Sequence, residues 1–216
     1  MEISITLKKI NKSFKDKTIF SDLSYEFYKN NYHLVGKNGV GKSTLLRLLV
    51  GLDSPDSGSI LLNNQFLMDS NTNQYAKKIF YVPDDLDIYP FLTGLEFLSW
   101  ITKVRTNNPD EINTLIDKLE LKQSQNTSIA DMSFGTKKKF LLASALIGQP
   151  DFIILDEPFN GLDKHSQQVL LTILEEKAVS SGIIVTTHHD SNLALLNPLK
   201  IQILDKKLSQ EEAYRV

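Results

Sequence analysis

The stretch HLVGKNGVGKSTLLRLL, residues 33–49, decides how this chain is read. The apolar run YHLV reads as a short buried strand, and Leu45, Leu48 and Leu49 fall on one face of a helix that Gly51 closes. Between them Gly36, Gly41, Lys42 and Ser43 satisfy the spacing G-x-x-x-x-G-K-[ST]. Glycine lets backbone N–H groups wrap a phosphate, the lysine reaches the outer phosphates, and the hydroxyl takes a magnesium ion. The helix that begins near Lys42 adds the positive end of its peptide dipoles. A pattern this loose arises by chance on the order of once per hundred chains of such length, so the strand before it and the helix after it carry much of the weight.

Composition bounds the rest. A chain of 216 residues, 41% of them apolar, supports one large domain or a core with a modest insertion. It has no cysteine, so disulfides and thiolate metal sites do not enter, which suits a reducing compartment. Lysine and arginine number 24 against 26 acids, and the net charge of -2 leaves no overall positive field to hold nucleic acid. The opening MEISITLKKI alternates like a strand and lacks the apolar centre of a signal peptide, and the longest apolar runs fall far short of the ~20 residues that span a bilayer. The chain alone is expected to be soluble.

Along the chain, residues 3–27 alternate apolar and polar, with KDK and SD as turn signals, and predict an antiparallel sheet. DSPDSGSILL adds a turn and a strand, and IFYVP a strand that Pro83 ends. Helical spacing then takes over: Leu95, Leu98 and Ile101 recur on one face, and NPDEINTLIDKL begins with Asn108 as a cap, Pro109 in the first turn and Glu111 as the capping-box partner. Residues from about 88 to 147 therefore read as a helical insertion between two parts of a core, 1–87 and 148–216. Strand and helix alternate again through DFIILDEP, SQQVLLTILEEK, GIIVTTHH and a last strand near KIQIL, predicting an α/β fold with a mostly parallel core sheet.

A phosphate loop needs an acid for its metal, and FIILDEP offers Asp156 at the exposed end of a buried strand. The next residue, Glu157, supplies a second carboxylate able to orient and polarise a water; two acids merely ending a strand is the plainer alternative. At the tip of the following strand His188 can contact a terminal phosphate, while His189 reads as surface. In DMSFGTKKKF, Ser133 and Gly135 stand at the start of another helix, a second place suited to an anion. The plainer reading there is an ordinary serine cap followed by a solvated lysine face.

Taken together and in this order, these motifs resemble the ATP-binding cassette (ABC) family of ATPases over essentially the whole length. GKNGVGKST matches the Walker A loop, MSFGTKK resembles the signature usually written LSGGQ, FIILDEP matches Walker B, NGLD the D-loop and TTHH the switch histidine. The resemblance implies a P-loop core with an antiparallel β flank and a helical subdomain, and ATP and Mg2+ as cofactors. Gly36, Lys37, Asn38, Gly39, Val40, Gly41, Lys42, Ser43 and Thr44 would cradle the phosphates, with Ser43 and Asp156 on the metal. Phe14 would stack on adenine, though a half-buried phenylalanine needs no such role. Ser133, Gly135 and Asp163 would reach the ATP of a partner in a head-to-tail dimer, with itself or with a relative.

Two departures stand out. Asp84 replaces the glutamine expected after YVP; it can ligate magnesium but, when ionised, cannot donate a hydrogen bond to water. The signature carries Met132, Phe134 and Thr136 where leucine, glycine and glutamine are usual. The expected function is that of a peripheral ATPase on the cytoplasmic face of the membrane, with Glu157 and His188 catalytic. Separate transmembrane subunits would be engaged through a groove beside Asp84 and the helical insertion, with export as the direction. A soluble ABC machine of translation, repair or cluster assembly is the alternative. The lysines of TKKK point in different directions on a helix and read as solvated surface rather than a nucleic-acid patch.

Overall fold

Two sheets share the strands in this computed structural model, which describes residues 2–67, 72–85, 88–106, 108–188 and 190–210. In chain order the elements are β1 (Ser4–Phe14), β2 (Lys17–Tyr28), β3 (Asn31–Val35), α1 (Lys42–Leu49), β4 (Ser57–Leu62), β5 (Phe66–Leu67), α2 (Thr72–Lys78) and β6 (Ile79–Val82). Then come α3 (Gly94–Arg105), α4 (Asp110–Lys118), α5 (Phe134–Leu146), β7 (Phe152–Asp156), α6 (Lys164–Ala178), β8 (Gly182–Thr186), β9 (Leu199–Leu204) and β10 (Lys207–Gln210). The first sheet is antiparallel, in the order β2-β1-β4-β5, and the second runs β10-β9-β3-β8-β7-β6. Within the second, β9, β3, β8, β7 and β6 are parallel and β10 alone turns back.

The parallel strands are apolar in nearly every position because both faces are covered. Every residue of β7 and β8 is buried. Ile153, Leu155, Ile183 and Val185 pack with residues of α3, α4, α5 and α6. Phe152, Ile154 and Ile184, which alternate with them, pack with α1 and the antiparallel sheet. Leu45, Leu46, Leu48 and Leu49 are all fully buried, so α1 is held on three sides rather than along one stripe. It ends as the sequence suggests: Gly51 N–H donates to Leu48 O and Leu52 N–H to Arg47 O, with Gly51 at φ 76.

Several local expectations change. SD is not a turn: β2 runs straight through it, and Asp22 takes a positive φ of 49 opposite a register shift in β1, which makes a bulge. Glu111 does not close a capping box with Asn108. Asn108 Oδ1 does accept from Asp110 N–H, but the Glu111 carboxylate accepts from Gly148 N–H at 2.7 Å and ties α4 to the loop after α5. The capping box lies on α3 instead, between Thr93 and Glu96. β5, α2 and β10 were not anticipated. β9 and β10 are joined by Asp205 and Lys206, both at positive φ without glycine, so the usual hairpin signal is missing.

Candidate functional site

The carboxyl ends of β3, β6, β7 and β8 face one edge of the parallel sheet, the edge where α/β folds bind ligands. A cavity of about 430 Å3 opens there, lined by Ile19, Asn38, Gly39, Gly41, Lys42, Ser43, Thr44, Asp84, Asp156, Glu157, Asn160 and His188. A second hollow of about 320 Å3 shares Lys42 and His188 and reaches Gly36 and Lys200. A wider depression of about 900 Å3 along β1, β2 and β4 holds none of the residues singled out in the sequence. The cavity of about 430 Å3 is therefore the candidate site.

The loop is shaped for a tight wrap. Gly41 caps α1 at φ 117, and an added Cβ would stand 2.6 Å from Ile19 Cγ2. Gly41→Ala is thus both strained and obstructed, at about 1–3 kcal/mol; we expect the folded variant to bind nucleotide at least about tenfold more weakly, checked by titration calorimetry beside a circular dichroism control. No side chain caps α1, so the first-turn N–H groups are left for an anion. Lys42 Nζ donates to Gly36 O at 2.7 Å and to Lys37 O at 3.4 Å, which folds the ammonium back over the loop.

One hydroxyl organises the two acids. Thr186 Oγ1 donates to Asp156 Oδ1 and accepts from Glu157 N–H at 3.0 Å. Asp156 is not exposed as expected but only 5% accessible, because this bond lets the carboxylate sit at the buried strand end. Glu157 adopts φ 45, a left-handed conformation that costs about 1–3 kcal/mol in a residue with a Cβ. Its Oε1 lies 3.4 Å from His188 Nε2, and its Oε2 is buried without a hydrogen-bond partner. A strained, buried carboxylate with an unmatched acceptor is suited to hold a water. His189 lies outside the described residues.

Asp84 follows β6, and its Oδ1 accepts from Asn160 Nδ2 at 3.2 Å. The same oxygen lies 3.9 Å from Nζ of Lys138, whose side chain has no exposed surface. The lysine run is therefore not all solvated: Lys138 turns inward and donates to Pro83 O at 3.2 Å. Burial pulls its pKa below the ordinary lysine value, against the attraction of Asp84, Asp156 and Glu157.

Ser133, Gly135 and Asp163 do not line the cavity. Ser133 is exposed and caps α5, its Oγ accepting from Thr136 N–H at 3.2 Å. Asp163 caps α6, and the Ser166 N–H holds its carboxyl below the usual carboxylate range. Phe134 is half exposed and packs on Gly161, where a Cβ would meet its ring at 2.3 Å; a Cβ on Gly135 would stand 2.8 Å from Gly161 O. Phe14 ends β1, half exposed and outside the cavity lining, with Lys12 Nζ 5.0 Å from its ring centre. Sequence reasoning missed Thr186, Asn160, Ile19 and Lys138 as parts of the site. Thr186 and Asn160 stood inside recognised motifs, whereas nothing in the pattern marked Ile19.

Among the described residues no three His, Asp or Glu side chains cluster as a self-sufficient metal cage. Magnesium takes one or two protein oxygens and fills its remaining positions with water and phosphate. Ser43, Asp156 and Asp84, all on the cavity wall, carry oxygens that could hold such an ion.

Residues 20–160 match the sequence family described as ABC transporter. The chain belongs to the ABC transporter family. The cassette is 32% identical to the cytochrome c biogenesis ATP-binding export protein CcmA of Mannheimia succiniciproducens, covering 89% of this chain and 92% of that protein. It is 30% identical to the uncharacterized ABC transporter ATP-binding protein YybJ of Bacillus subtilis, covering 96% of each. It is 33% identical to the zinc import ATP-binding protein ZnuC of Rickettsia conorii, over 85% of this chain and 76% of that protein. In fold it resembles the dimeric bacterial ABC transporter cassette MJ0796, with a TM-score of 0.84 at 21% identity over 98% of this chain and 99% of that one. It thus has the P-loop fold of an ABC ATPase, and no described helix is long and apolar enough to cross a membrane.

Proposed function

We propose that this cassette is the ATP-binding and ATP-hydrolysing subunit of a membrane transporter. In this reading it works at the cytoplasmic face as a head-to-tail pair, with itself or a related cassette. The observation that carries the reading is Glu157: strained, with one buried oxygen unpartnered and the other beside His188, at the mouth of a glycine-rich phosphate loop. Lys42 and the N–H groups of α1 hold the phosphates, and Ser43, Asp156 and Asp84 would hold magnesium. Bound magnesium would neutralise the phosphate oxygens. Glu157 positions a water and takes its proton as the water oxygen bonds to the terminal phosphorus and the bond to the leaving phosphate oxygen breaks. His188 donates to the terminal phosphate, and Phe14 stacks on the base. Ser133 and Gly135 of the partner close the site from the other side.

The helices between β6 and β7 form the arm that meets the membrane subunits. Tyr89, Phe91 and Trp100 lie together there, with Phe91 74% exposed and the Tyr89 and Trp100 rings edge to face at 5.7 Å. Exposed aromatics gathered in this way are characteristic of a protein interface. We assign the patch to a cytoplasmic segment of the membrane subunit. Phe91→Asp is expected to reduce recovery of that subunit in a detergent pulldown by at least about tenfold, the cost of a central aromatic anchor. Export, the direction in the name of the CcmA relatives, is the one proposed here; the ZnuC relatives carry the opposite. Purification of the tagged cassette from detergent extract should bring down a polytopic protein, and uptake or efflux by the reconstituted pair fixes the direction. A cassette that purifies alone from both cytosol and membranes would overturn the transport reading.

A further inference from the structure

A lysine with 0% exposed side-chain surface is expensive unless its ammonium finds partners. Lys138 finds two, the Pro83 carbonyl at 3.2 Å and the Asp84 carboxylate at 3.9 Å, and both belong to the loop that follows β6. Asp84 Oδ1 in turn accepts from Asn160, on the loop that follows Glu157. One carboxylate oxygen thus joins α5, which Ser133 caps, to the loop at the edge of the cavity and to the loop leaving the acid strand. A glutamine at position 84 would need no counter-charge, so the acid and the buried lysine are intelligible as a pair.

We propose that Lys138 is a positioning residue for Asp84: its buried ammonium is the fixed counter-charge that holds the carboxylate at the cavity edge and ties α5 to that loop. The functional half of this inference rests on the reading that Asp84 faces magnesium; the pairing itself does not. If Lys138 served only to satisfy the Pro83 carbonyl, Asp84 would be indifferent to it.

A double-mutant cycle on the nucleotide-free protein separates the two. Asp84→Asn takes the counter-charge from a buried ammonium and leaves it the Pro83 carbonyl, and we expect it to lower the unfolding temperature by about 3–6 °C in the parent but by less than about 1 °C in a Lys138→Met background. Equal losses in the two backgrounds overturn the proposal. Lys138→Gln, which keeps a donor for Pro83 O, serves in the same cycle if the methionine variant does not fold. In turnover, Lys138→Met should lower kcat about tenfold with KM for ATP within about twofold, and should raise the magnesium concentration for half activation; Lys138→Arg should restore most of it. Thermal coupling with an unmoved magnesium curve would keep the pairing and remove Asp84 from the metal, which overturns the functional half alone.

Discussion

Glu157→Gln is expected to bind ATP, stop turning it over and collect as a dimer. The amide keeps the size and planarity of the carboxylate, so the hydrogen bond from Glu157 N–H to Thr186 and the approach to His188 need not change. It cannot take a proton from water. Loss of a positioned general base costs about 10²–10⁴-fold in rate, so steady-state phosphate release should fall by about that factor while ATP affinity stays near the parent's. Light scattering with magnesium and ATP should then show twice the parent's apo mass, because the closed state no longer discharges. Turnover close to the parent's would remove Glu157 from the base role. A strictly monomeric, ATP-loaded variant, with and without its membrane subunits, would sink the sandwich itself.

The second large effect is a loss that two broken chains repair together. Lys42→Ala removes an ammonium that rests on the loop's own carbonyls, Gly36 O and Lys37 O, and would transfer to phosphate oxygens. Charge-assisted bonds of this kind contribute about 1.5–3 kcal/mol each, so ATP binding should weaken by about two orders of magnitude. Ser133→Arg leaves the phosphate loop intact and fills the exposed end of α5, and it too should be inactive. In a homodimer, mixing the variants yields hybrids with one site made of an intact loop from one chain and an intact Ser133 from the other. Such mixtures should recover part of the parent's phosphate release. If each site lay within a single chain, no mixture would recover any.

The glycine loop and the acid pair that meet in the cavity were legible because each is a short run fixed by backbone geometry or by strand-end position. The parallel core was legible for a related reason, since strands buried on both faces are apolar throughout, as in β7 and β8. What escaped depends on contacts between distant segments. Lys138 and Asp84 are far apart in sequence, and charge on a helix reads by default as solvated until the packing of α5 against β6 is known. The exposed strand end assumed for Asp156 failed because a threonine on the neighbouring strand supplied its bond. β10 was missed because its hairpin turn uses Asp205 and Lys206 in place of glycine. Glu111 was misplaced because its carboxylate answers Gly148, a residue no local pattern could nominate.

The contact between Phe134 and Gly161 carries an evolutionary consequence. The aromatic ring stands 2.3 Å from where a methyl on residue 161 would be, so a side chain at 161 would have to displace it. Descendants of this cassette should keep position 161 bare on two counts, since its φ of 76 strains any residue with a Cβ and the Phe134 ring fills the space a methyl would take. A well-populated lineage carrying alanine or serine at 161 beside an aromatic residue at 134 would break the rule.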